Sequence, residues 1–147
     1  MNWTTLLRFR KQVEDLAREE VVLTEWEKSQ EVAKRQEFGQ EMETVVADLE
    51  QQIQMGIDTL FAEERYRWLD QLGTAMEERT EQIYRLEETL VTLRQKLKKA
   101  YHARRVVELV IAKKEAAVLL KVAAQEQRIQ EDVSAHAFAT CNLEEMT

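Results

Sequence analysis

Between Leu69 and Val118 apolar side chains recur at alternating steps of three and four, and nothing else in the chain constrains its fold as tightly. The positions are Leu69, Leu72, Met76, Arg79, Ile83, Leu86, Leu90, Leu93, Leu97, Ala100, Arg104, Val107, Ile111, Lys114 and Val118. Twelve of these fifteen are apolar, over seven heptads. A repeat of 3.5 residues sustained that long specifies a helix that supercoils against a second helix, because only supercoiling keeps the stripe facing its partner. The questions that follow are which helix is the partner and what the pair is for.

Composition narrows both. A chain of 147 residues with no Pro, three Gly, 33% charged and 7% aromatic residues has the balance of long helices, not of a round core. A formal charge of −7 and a pI near 5.0 argue against nucleic acid as a partner, since phosphate binding needs a cationic face. Cys141 is the single cysteine, so neither a disulfide framework nor a thiolate metal site is expected within one chain. The opening Met1 to Thr5 has no basic and apolar leader pattern, and the longest apolar run is Ala116 to Leu120. The sequence therefore reads as cytoplasmic, without insertion into a membrane.

A weaker heptad stripe precedes the strong one. Leu6, Phe9, Val13, Leu16, Glu20 and Leu23 alternate correctly, Trp26 follows after a stammer, and Gln30 to Gly39 is poor in apolar residues. The stripe recovers at Met42, Val46, Leu49, Ile53, Gly56 and Leu60. With only Gly39 inside the polar stretch, one helix with a loosened middle is expected.

Met55-Gly56-Ile57-Asp58-Thr59 is the place for a reversal. Gly ends a helix in the left-handed conformation, and Asp58 or Thr59 caps the next one. The expected fold is all-α: a long two-helix antiparallel coiled-coil hairpin over residues 1–135. Helix one covers about 2–55, the turn about 56–59 and helix two about 58–133, with a flexible tail at 136–147. One unbroken helix forming a parallel dimer is the alternative. In the hairpin, helices of about 80 Å and 110 Å leave roughly 20 residues of helix two without a partner. That overhang holds Val118, Leu119, Leu120 and Val122, and so apolar a segment marks an interaction site, either for another protein or for its own copy.

Charge favours the hairpin. Arg94 to Arg105 contains six basic residues and no acidic one, and antiparallel pairing sets them near Glu14, Asp15, Glu19, Glu20 and Glu25. Such flanking charges select orientation more than they add stability. Gln36 to Glu64 carries eight acidic residues and no Lys or Arg, so the turn end is strongly negative.

No catalytic constellation is present in the sequence: no Gly-rich phosphate loop, no His-Glu-x-x-His, no second cysteine. His102 and His136 have no matching ligand set, and carboxylate pairs such as Glu19 with Glu20 read as solvated faces. The chain is expected not to be an enzyme and to need no cofactor or metal.

Three stretches carry a family resemblance. These are Leu6-Leu7-Arg8-Phe9-Arg10-Lys11-Gln12-Val13-Glu14, then Gly56-Ile57-Asp58-Thr59 followed by Tyr66-Arg67-Trp68-Leu69-Asp70-Gln71-Leu72, and finally Ala124 to Ser134. Together they resemble the FliJ family of bacterial flagellar type III export, whose injectisome relatives are YscO-like stalk proteins. The resemblance implies a hairpin similar to the central stalk of rotary ATPases, peripherally associated with the inner membrane at the flagellar base. It implies that the end bearing both termini enters the hexameric export ATPase ring, through Leu6, Phe9, Val13, Val118, Leu119, Val122 and Ile129. It also implies contact with the cytoplasmic domain of the export gate protein through Trp68, Leu72, Ala75 and Arg79, with Arg79 standing where the family has His, and dealings with export chaperones. From the residues alone, Leu72 equally suits the helix seam, with Trp68 packed beside it. The rival to the whole reading is a generic coiled-coil scaffold or homodimeric tether.

Overall fold

A computed structural model describes residues 2–146 of the chain. Two helices make up the fold, α1 at Trp3–Gln54 and α2 at Thr59–Met146, with no strand among the described residues. They pack closely as an all-α, two-helix hairpin.

Each boundary has a local cause. Asn2 caps α1: its side-chain oxygen accepts from the Thr5 amide at 3.2 Å, and its carbonyl accepts the first helical bond, from Leu6. At the reversal Gly56 takes φ +81°, and its amide donates to the Ile53 carbonyl at 3.2 Å. Asp58 then caps α2, its carboxylate accepting from the Leu60 amide at 3.4 Å and its carbonyl from Ala62 at 3.2 Å. The reversal thus falls where Gly, Asp and Thr come together, with Asp58 and not Thr59 as the cap.

The described chain divides into two units, Lys11–Tyr101 and Met1–Arg10 with His102–Thr147. In the first, α2 presents its expected stripe: Leu69, Leu72, Met76, Arg79, Ile83, Leu86, Leu90, Leu93, Leu97 and Ala100 are all buried or half-buried. Leu90 is only 2% exposed. Removing a leucine side chain from water in this way contributes about 1.5–3 kcal/mol.

The partner stripe on α1 differs from the sequence expectation by one residue. A series of buried and half-buried positions runs Glu14, Ala17, Val21, Thr24, Lys28, Glu31, Arg35, Phe38, Met42, Val45, Leu49 and Gln52 in unbroken three-four alternation, with Val13, Val32, Gly39 and Asp48 half-buried beside it. Leu16, Leu23 and Trp26, expected in the seam, are 60%, 57% and 58% exposed. Val46 and Ile53 give way to Val45 and Gln52, and Met42 and Leu49 hold their expected places. The stammer is absent, and the seam from Thr24 to Met42 is half-buried where Ala17 and Val21 before it and Val45 and Leu49 after it are buried. Polar pairing decides the register. Arg79 lies in the α2 stripe, and Glu31 in the α1 stripe accepts its hydrogen bond at 2.9 Å. Lys28 reaches Glu87 at 3.4 Å, and Arg35 donates to the Thr80 hydroxyl at 3.5 Å. Long polar side chains serve there because their stems pack while their heads reach the rim. Of the expected flank pairs, Arg94 meets Glu25 and Lys96 meets Glu20, each at 3.1 Å, whereas Glu14 and Asp15 bond to Arg18 on their own helix.

In the second unit Leu6, Leu7 and Arg10 are half-buried, with Val107 buried and Val110 and Ile111 half-buried. The Trp3 ring lies 4.6 Å from the Lys114 ammonium. The expected seam at Lys114 and Val118 is not realised, because every described side chain from Ala112 to Glu145 is exposed. Nor does the helix stop at 133 or give way to a tail at 136: α2 runs to Met146. Periodicity reports burial, not helicity. After Gly73 no Gly or Pro interrupts the chain, and Ala135, Ala137 and Ala139 are strong helix formers.

Candidate partner-binding site

With both helices placed, the surfaces available to a partner follow from what the seam leaves uncovered. Trp68, Leu72, Ala75 and Arg79 lie on one face of α2, but that face turns toward α1. Leu72 is 3% exposed and belongs to the seam, Ala75 is half-buried, and Arg79 is committed to Glu31. Trp68, 39% exposed, is the most open of the four. The hydrogen bond from Arg79, helped by charge attraction to Arg79 and Lys34, holds the Glu31 carboxyl below its ordinary range despite partial burial.

The seven residues expected at the terminal end divide between the units. Val13, half-buried, belongs to Lys11–Tyr101. The others share the second unit: Leu6 is half-buried, and Phe9, Val118, Leu119, Val122 and Ile129 are exposed. Nearby on α2, Arg104 and Arg105 both donate to Glu108, at 2.6 Å and 3.1 Å, and these bonds draw its carboxyl below the ordinary range. That geometry holds two of the six basic residues of Arg94 to Arg105 on an acid of their own helix.

One surface was hidden by the misplaced α1 stripe. On the side of α1 away from its seam, Val22, Leu23 and Trp26 line an open groove with Asp15, Arg18 and Glu19. The signal was in the sequence as apolar residues at helical spacing, and reading those residues as seam concealed it.

Among the described residues no group of three or more His, Cys, Asp or Glu is placed to hold a metal ion, and no helix is long and apolar enough to cross a membrane. Cys141 is exposed. The fold defines the class as an all-α, two-helix hairpin. Searches against protein families, curated proteins and solved structures find no match to the chain.

Proposed function

We propose that this chain is a FliJ-like stalk of a flagellar type III export apparatus, acting by binding energy and without chemistry of its own. Its terminal end engages the export ATPase ring, favouring ring assembly and ATP hydrolysis. Trp68 contacts the cytoplasmic domain of the export gate protein, and the chain works in the cytoplasm at the inner membrane beneath the flagellum, beside export chaperones. The observation that carries this reading is the helical run from Ala112 to Glu145, exposed throughout yet bearing Val118, Leu119, Leu120, Val122, Ile129 and Val133. Apolar surface of that extent marks an interaction site. A helix stiff enough to project without support suits insertion into a ring.

The gate contact is narrower than the family stripe implies. With Leu72 in the seam and Arg79 paired to Glu31, Trp68 supplies the anchor, as large aromatic side chains commonly do at protein interfaces. The test of the ring contact is a chain ending at Lys113. It is expected to keep its far-ultraviolet helical spectrum in proportion to its length and to lose stimulation of the cognate export ATPase. Stimulation undiminished by this truncation contradicts the assignment of the ring contact to the exposed end of α2.

A further inference from the structure

We propose that the exposed run of α2 from Glu115 to His136 is a self-association face, through which two copies of the chain cross antiparallel. The stripe is built on a different period from the seam. Val118 and Ile129 are eleven residues apart, as are Ile111 with Val122 and Val122 with Val133. Eleven residues at about 100° each exceed three turns by about 20°, so Val118, Val122, Ile129 and Val133 keep to one stripe that drifts in the sense opposite to a heptad's. The heptad that serves pairing with α1 thus ends where the pairing ends, and an eleven-residue repeat, which suits a right-handed crossing, replaces it.

The spacing is also the same in both directions. About the midpoint between Gln125 and Glu126, Val118 mirrors Val133 and Val122 mirrors Ile129. Twofold pairing requires this property, since one patch must fit its own copy with i meeting j and j meeting i. Val118 then meets Val133 of the second copy, and Val122 meets Ile129. The two doublets at i and i+4 form ridges that meet at a shallow right-handed crossing.

Charge selects the orientation. Within the run the first half carries Glu115 and Lys121, and the second half carries Glu126, Arg128, Glu131 and Asp132. A parallel pair lays the acidic second half on its own copy, whereas the antiparallel pair brings Lys121 beside Asp132 of the second copy, twice. Glu126 falls next to its own counterpart at the twofold axis, a repulsion that keeps the association weak. Four β-branched side chains per copy form a face at the small end of specific interfaces, so the dimer dissociates at about 10 μM. The same stripe is assigned to the ATPase ring above, so the dimer is the state of the chain without its ring, and its detection requires no ATPase.

Sedimentation equilibrium of the full chain, from about 1 to 200 μM, tests the proposal. The wild-type chain is expected to pass from monomer to dimer across this range. K121E is expected to weaken the dimer about tenfold, K121E with D132K to restore it, and E126Q to tighten it. A monomer throughout overturns the proposal. So does a dimer that K121E leaves unchanged, that the double reversal fails to rescue, or that E126Q weakens, the last being the signature of a parallel pair.

Discussion

At the scale of residues, backbone conformation and one ion pair give the sharpest expectations. Gly39 and Gly73 sit inside helices with ordinary helical dihedrals, and a methyl group at Gly39 would meet the Met76 terminal carbon at 3.5 Å, an ordinary contact, while at Gly73 it meets nothing within 4 Å. Gly39→Ala and Gly73→Ala are each expected to stabilise the chain by about 0.5–1 kcal/mol in urea denaturation. Gly56 holds φ +81°, so Gly56→Ala in the same assay is expected to destabilise by about 1 kcal/mol or more. The Glu31 carboxyl, drawn down by Arg79, binds fewer protons folded than unfolded on the acid side of neutrality. Its contribution is present above the ordinary carboxylate range and is lost as pH falls through its folded pKa. Melting temperature is therefore expected to drop from about pH 5 downward, and less steeply in Glu31→Gln. Equal slopes in the two proteins contradict the role given to this pair. Trp68 is separable from both effects: Trp68→Ala is expected to change stability by less than about 1 kcal/mol and to weaken binding of the gate domain at least about tenfold, read by calorimetry.

At the scale of elements, what the sequence disclosed depended on how many stripes a helix carries. On α2 the leucines make one stripe, so its seam was legible from Leu69 to Ile111. On α1 two stripes run one residue apart. Leu16, Leu23 and Trp26 make the more apolar stripe, yet the helices pair through Glu14, Ala17, Val21, Lys28 and Glu31. Hydrophobic counting cannot see that Arg79 and Glu87 on the facing helix require Glu31 and Lys28 across from them. The reversal was legible because Gly56 and Asp58 carry local conformational preferences that no distant partner overrides. The end of α2 was not, since failing periodicity was taken for failing helix, whereas the alanines and the absence of Gly and Pro sustain the helix to Met146. For the candidate site the same rule held. Trp68, Val118, Leu119, Val122 and Ile129 are exposed, while Leu72 and Arg79 belong to the seam, a distinction that only the packed pair makes visible.

At the scale of the whole molecule, the hairpin leaves its chemistry on the outside. It offers Trp68 on one unit, and on the other a helical run, exposed from Ala112 to Glu145, that bears Val118, Leu119, Leu120, Val122, Ile129 and Val133. Neither surface resembles a catalytic cleft, and both suit recognition by another helical or ring-shaped surface. The stalk reading joins them in one mechanism, with binding energy at the exposed run of α2 promoting the assembly of an ATPase and Trp68 linking the assembly to the export gate. The most direct measurement is steady-state ATP hydrolysis by the cognate flagellar export ATPase with and without the full chain, with sedimentation of the same mixtures. Faster hydrolysis that coincides with conversion of the ATPase to hexamers is the predicted result. Unchanged hydrolysis and no complex, from a chain shown to be helical and folded, contradict the stalk reading.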